Sequence, residues 1–449
     1  MKEDSLQSVI PLSEVQSLLG LSYPGKYIAK YVAEIGCNTV VVERNYVDKD
    51  YLKDYTNYYA RSFDDCERRV KRLHFFRGKF TKEVFVRALV KNAISETCGE
   101  YLGFSVIKPI KDEGDQPIIG RTILQTYPTV GDDGKIKRCY IENDHDLSLF
   151  GHRIRMRSVP FQSQDGQVSK CATVALWVAS HALNSLFDTQ TCHPSEITAR
   201  ATSYLSINRC FPSDGLILEQ MLNYIKSLEL EKDVITIPAL DDETVRKNVR
   251  DAKTATMAYV RSGLPVIATL MIIGRHGSQG YHAVVITGFG ENDKGDLVEL
   301  YIHDDQIGPY CRAIWQNDSP KIEYEWTNPE LADLFGYEAV ILDKLIVPVY
   351  PKIRLPSAVI VPTYDWIRHS AELEGFTARL LYTQVGDYKA HILEQECEDK
   401  EKILITDLPK FLAVVRVLKG GDALIDFVYD ATANHSRNPL IRVRYAPTR

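Results

Sequence analysis

The sequence predicts an α+β protein whose centre is an apolar helix opening on a cysteine, followed by strands that carry a histidine and an aspartate. Three observations predict it. The run CATVALWVASHAL, which begins at Cys171, is apolar on nearly every helical face. The segments Pro265–Ile273 and His282–Phe289 have the length and apolar content of strands. The turn-forming stretch Gly290–Asp296 then separates the second strand from Leu297–His303, the pattern of a hairpin.

Around this centre the chain divides into three regions. In residues 1–150, Ile28, Tyr31, Val32 and Ile35 recur at helical spacing, and Gly36 can end that helix. Thr39–Val42 reads as a β-branched strand, Tyr51–Tyr59 and Lys82–Ala93 as helices, and Tyr101–Ile107 and Thr122–Thr126 as strands. This is a mixed α/β region without recognisable chemistry. Residues 151–347 hold the cysteine helix and the strands described above. Residues 348–449 follow a proline-containing stretch and predict a helix at Tyr364–Glu374. Strands are expected there at Arg379–Thr383, Phe411–Val417 and Ala423–Tyr429. This last α/β region is either a small domain or an elaboration packed on the middle one.

Bulk properties narrow the function classes. The formal net charge of −6 argues against a protein built mainly to bind nucleic acid. The nine cysteines have irregular spacing and no CxxC pair, so free thiols in a reducing cytosol are expected. The opening MKEDSLQSVIPL lacks the long apolar core of a secretion signal. The strongest apolar run, near Leu264–Ile273, is too short to span a bilayer. The expectation is a cytoplasmic protein with no membrane partner.

The chemistry lies in the order of a few residues. A cysteine at a helix N-terminus feels the positive end of the helix dipole, which favours the thiolate nucleophile. His282 begins an apolar strand, and a general base needs such a rigid edge. In LYIHDDQIGP, Asp304 shares strand parity with Leu300 and Ile302, whereas Asp305 points the other way if the strand continues. The preferred residue to orient the base is thus Asp304, with Asp305 the alternative. Gln162, Gln164 and Gln167 precede the cysteine, and Gln164 is favoured on spacing as a side-chain oxyanion donor. Each residue also has an ordinary structural use: a buried cysteine, a strand-end histidine, a turn pair of aspartates.

Taken in order, the segments VPFQSQ (Val159–Gln164), CATVALW, GLPVIATL (Gly263–Leu270), HAVVITGF (His282–Phe289) and YIHDD (Tyr301–Asp305) resemble papain-like cysteine peptidases, especially the bacterial C39-like branch. The resemblance covers about Ser158–Pro309. It departs from the pattern at Ala172, where Gly is common, in a Gln164–Cys171 interval one residue longer than usual, and at Asp305 in place of Pro. It implies a helix carrying Cys171 packed against an antiparallel sheet carrying His282 and Asp304. It also implies thiolate attack on a peptide or amide carbonyl, an acyl-enzyme and hydrolysis. A protein or peptide substrate follows, and the two end regions could recruit a regulatory protein partner.

The same site could instead run acyl transfer or deamidation on a protein, or the chain could be a catalytically silent interaction protein. No cofactor or metal is expected, because Cys192–His193, His276, His282 and His303 lack tight ligand spacing. His276, in the glycine-rich GRHGSQG, is an alternative base, and its loop is a lid candidate. Asp430 and the pair Gly420–Gly421 read as turns.

Overall fold

The computed structural model describes residues 6–61, 66–131, 134–166, 170–204, 215–237, 243–274, 279–325, 337–435 and 438–446. His276 and Gln167 therefore lie outside the described residues.

The first region forms an antiparallel meander of β1 (Leu6–Pro11), β2 (Thr39–Tyr46), β3 (Val70–Phe76), β4 (Tyr101–Lys111) and β5 (Pro117–Leu124). The helix Tyr23–Glu34 precedes β2. The Ser22 hydroxyl caps it by accepting the Gly25 N–H at 3.3 Å, and Gly36 leaves it at φ +91°. Ile28, Tyr31 and Val32 are buried, as their spacing requires.

Two short pieces then lead to the middle of the chain: β6 (Lys137–Tyr140) and the hairpin β7 (Asn143–Leu149) and β8 (His152–Ser158). The second sheet contains β9 (Glu231–Thr236), β10 (Val266–Gly274), β11 (Gln279–Glu291), β12 (Leu297–Asp304), β13 (Gly308–Trp315), β14 (Ile322–Tyr324) and β15 (Tyr337–Val349). Its order is β14-β13-β12-β11-β10-β15-β9, and every pairing is antiparallel. Strand β11 is long enough to have two neighbours on one edge. Gln279–Ile286 pairs with β10, and Gly288–Glu291 pairs with β6. Thus a strand from before residue 150 completes the second sheet.

The helix Cys171–Phe187 packs on β10 and β11. Ala172 through Ser180, Ala182 and Leu183 are all buried, and Trp177 is fully enclosed. Such all-round burial is the outcome expected of its nearly uniform apolarity. Asp188, in the left-handed region at φ 53°, ends the helix.

The third region is a four-stranded sheet, β16 (Thr377–Gln384), β17 (Phe411–Lys419), β18 (Asp422–Asp430) and β19 (Ile441–Arg444), with the helix Ser357–Leu373. Its inner residues Leu380, Tyr382 and Val415 join the same apolar cluster as Trp177 and Ile286. The Tyr259 and Tyr382 rings stack at 5.2 Å, and Glu291 takes ion pairs from Arg261 and Arg379.

The first region also grips the middle one. His193 Nδ1 lies 2.8 Å from Asp50, and Asp54 accepts the Ser195 N–H at 3.1 Å. At the β12–β13 turn, Tyr27 packs so closely on Gly308 that a Cβ there would sit 2.1 Å from the ring. A side chain at 308 would push Tyr27 and the turn apart. Among the described residues no helix is long and apolar enough to cross a membrane.

Candidate active site

Cys171 is the first residue of its helix, with Lys170 extended in the cap position and offering no side-chain cap. The leading N–H groups are thus left to the site, and the dipole is directed at the half-buried thiol.

His282 comes from the next layer. It is buried on β11 opposite Leu270 of β10. Its Nε2 hydrogen-bonds Asp304 Oδ1 at 2.9 Å, and its Nδ1 makes no regular hydrogen bond. Nδ1 is therefore the ring atom left for Cys171. Burial works against an imidazolium here, yet the His282 pKa stands well above its ordinary value. The Asp304 charge and hydrogen bond outweigh the burial, aided by the Cys171 contact and the Asp305 charge.

Asp304 closes β12 and is held on every side. Oδ1 also accepts the Gln306 N–H at 3.0 Å, and Oδ2 accepts the Tyr324 hydroxyl at 2.9 Å. Burial would raise its pKa, but the His282 charge and these hydrogen bonds keep it below the usual carboxylate value. Tyr324, on the short β14, is a residue that the sequence did not bring forward. Three residues of strand carry no periodicity, and the pairing of β14 with β13 is what delivers the hydroxyl.

Asp305 behaves differently. Strand alternation aims Asp304 at His282, but the strand ends there and Asp305 belongs to the following turn. Freed from alternation, its Oδ1 lies 3.7 Å from His282 Nε2. Both carboxylate oxygens are buried and make no hydrogen bond. Burial is the largest influence and Asp304 adds to it, while His282 opposes, so the carboxyl is pushed up to about 7. A carboxyl raised in this way costs nothing at about pH 2, where it is protonated in both folded and unfolded chains. It destabilises the fold progressively as pH rises toward 7. Asp305→Asn is accordingly expected to stabilise the protein by about 1–3 kcal/mol at about pH 8, with the gain shrinking as pH falls and gone near about pH 2. Thermal unfolding at the two pH values measures this; a lower Tm at the higher pH would contradict it.

Gln164 is half-buried and lines a cleft of about 450 Å³ together with Lys170, Asp305 and Gln306. Gln162 is enclosed, and its amide nitrogen makes no hydrogen bond. The far wall of the cleft comes from the first region, through Ser22–Pro24 and the β4–β5 turn.

Among the described residues, His282, Asp304 and Asp305 form the group with metal-ligand spacing, their donor atoms lying within 4.8 Å of one another. Two of those donors, His282 Nε2 and Asp304 Oδ1, are already engaged with each other. Cys192, His193 and His303 do not join the trio. His193 pairs with Asp50, and His303 Nδ1 accepts the Tyr310 N–H.

No protein family matches the chain, and no curated protein matches it.

Proposed function

We propose that the protein is a thiol hydrolase of the papain-like kind, cleaving a peptide or amide bond through Cys171, His282 and Asp304. The observation that carries this reading is the His282 ring. One nitrogen is fixed by a buried aspartate, and the other is left to a cysteine at the start of a buried helix. An interaction surface has no physical need for a buried, aspartate-held imidazole of raised pKa beside a half-exposed thiol.

The steps follow from those atoms. The Cys171 sulfur attacks the substrate carbonyl carbon, and the carbonyl electron pair moves onto oxygen. Gln164 and the helix-leading N–H groups offer hydrogen bonds to that oxyanion. On collapse the C–N bond breaks, and His282 donates its Nδ1 proton to the leaving amine. Water then attacks the thioester as His282 takes its proton, releasing the acid and restoring the ion pair. Asp304, itself held by Tyr324 and Gln306, keeps the ring in place throughout.

Mass spectrometry of peptide and glutamine-amide substrates tests the reading. Addition of one water across a cleaved peptide or amide bond supports it. Conversion of a glutamine side chain to glutamate would move the function to deamidation, and an isopeptide product would move it to transfer. A Cys171→Ala protein that forms product as fast as the native chain would sink it.

A further inference from the structure

A second cleft, about 980 Å³, lies along the first sheet and shares Lys111 and Pro117 with the cleft beside Gln164. The two clefts adjoin, and the basic character of the second does not continue into the first. Arg44, Arg69, Lys71 and Lys108 line the distal part, with Lys111 at the junction, against the carboxylates of Glu67 and Asp115. Arg69 and Lys71 are exposed and have no carboxylate partner among the described residues. Lys108 is buried, makes no hydrogen bond, and lies 3.8 Å from Asp165. Leu21, 64% exposed, offers an apolar foothold at the rim. The cleft beside Gln164 carries no net positive charge: Asp112 and Glu113 stand against Lys111 and Lys170, Asp165 is paired with Lys108, and the Asp305 carboxyl is pushed up to about 7.

We infer that this groove is the substrate-docking surface, and that its occupant is an extended polypeptide with an acidic stretch some residues away from the scissile bond. The substrate role rests on the thiol-hydrolase reading above. Charge complementarity selects the occupant. A chain of net charge −6 gathers cations in one cleft, which attracts an anionic ligand against the field of the whole protein. A nucleic acid is anionic along its full length, and the cleft beside Gln164 offers it no continuing basic track. A polypeptide can be acidic along the basic cleft and neutral beyond it. The basic cleft thereby sets which proteins are held, and the cleft beside Gln164 receives the segment to be cut.

Fluorescence anisotropy on the full-length chain tests this with a fluorescein-labelled deca-glutamate peptide, a deca-lysine peptide and a 20-nucleotide single-stranded DNA. The acidic peptide is expected to bind most tightly, and the Arg69→Glu/Lys71→Glu double variant to bind it at least about tenfold more weakly. Lys79→Glu/Lys82→Glu, exposed elsewhere on the first region, makes the same change in net charge and is expected to alter binding less than about twofold. Equal losses in the two double variants, tighter binding of the DNA, or no binding of the acidic peptide would each overturn the inference. The assay needs no turnover, so its failure leaves the reading of Cys171 intact. Loss of the Cys171 chemistry would in turn leave a measured docking surface.

Discussion

Cys171→Ala is expected to lower kcat/KM on any cleaved substrate by at least about 10⁴, or about 5.5 kcal/mol of transition-state stabilisation. The thiolate is the bond-forming atom, and alanine offers nothing in its place. His282→Ala should cost a similar factor, because a base and its nucleophile act as one unit. The double variant should be little worse than either single change. The effect on the fold should be small for Cys171→Ala, since a half-buried side chain at a helix start is shortened by one atom. His282 is fully enclosed between Asp304 and the thiol, so its loss leaves a buried carboxylate without its cation. Turnover and thermal unfolding measured side by side separate these cases: one variant dead and stable, the other dead and destabilised.

Asp304→Ala carries the second large effect, and it falls on stability as much as on activity. The substitution leaves the buried His282 Nε2, the Tyr324 hydroxyl and the Gln306 N–H without their acceptor. Breaking a buried, hydrogen-bonded ion pair by removing one partner costs about 3–5 kcal/mol. Asp304→Asn keeps one acceptor oxygen for His282 and Gln306, turns the other into an N–H donor that the Tyr324 hydroxyl can accept, and loses the charge. It is expected to fold well and to lose about tenfold in kcat/KM. The His282 pKa should fall in both variants, because the Asp304 charge is the first of the influences that raise it. Because that pKa is raised in the fold, the stability it contributes is complete below the ordinary histidine range and is lost as pH rises through the raised value. The wild-type protein should therefore keep its activity to higher pH than Asp304→Asn. If Asp305→Asn instead proves the more damaging change, Asp305 is the residue that orients the base.

Much of this arrangement is legible in the residues. The helix begins at Cys171 because the polar residues before it give way to CATVALW, which only an enclosed helix can satisfy. The strand expected at 265–273 lies one residue later, at 266–274, and those at 279–291 and 297–304 extend the predicted segments by one to three residues at an end, where Gly and polar residues blur the edges. Parity along β12 aims Asp304 at the histidine. Parity could not place Asp305, because alternation stops where the turn starts. Tyr324 and the pairing of β6 with β11 were illegible for another reason. Both depend on contacts between segments far apart in sequence, and neither leaves a local pattern. The same holds for the first region, where nothing in its helices or strands suggests chemistry. Its β4–β5 turn and the start of Tyr23–Glu34 nonetheless form one wall of the cleft beside Gln164. The strand predicted at Thr122–Thr126 lies earlier, at Pro117–Leu124. Hydrogen bonding to β4 decides that boundary.

The background for a direct test is favourable. Burial raises the thiol pKa of Cys37 and Cys98 to about 11 and also raises those of Cys139, Cys192, Cys311 and Cys397. These thiols react slowly with an alkylating agent near neutral pH. The most direct measurement is site-resolved iodoacetamide alkylation at about pH 6.5, read by peptide mass spectrometry in wild type and His282→Ala. A Cys171–His282 ion pair predicts that Cys171 is alkylated at least about tenfold faster than the other cysteines, and that this advantage disappears in His282→Ala. Labelling of Cys171 at the rate of the other thiols, or at a rate indifferent to His282, would contradict it.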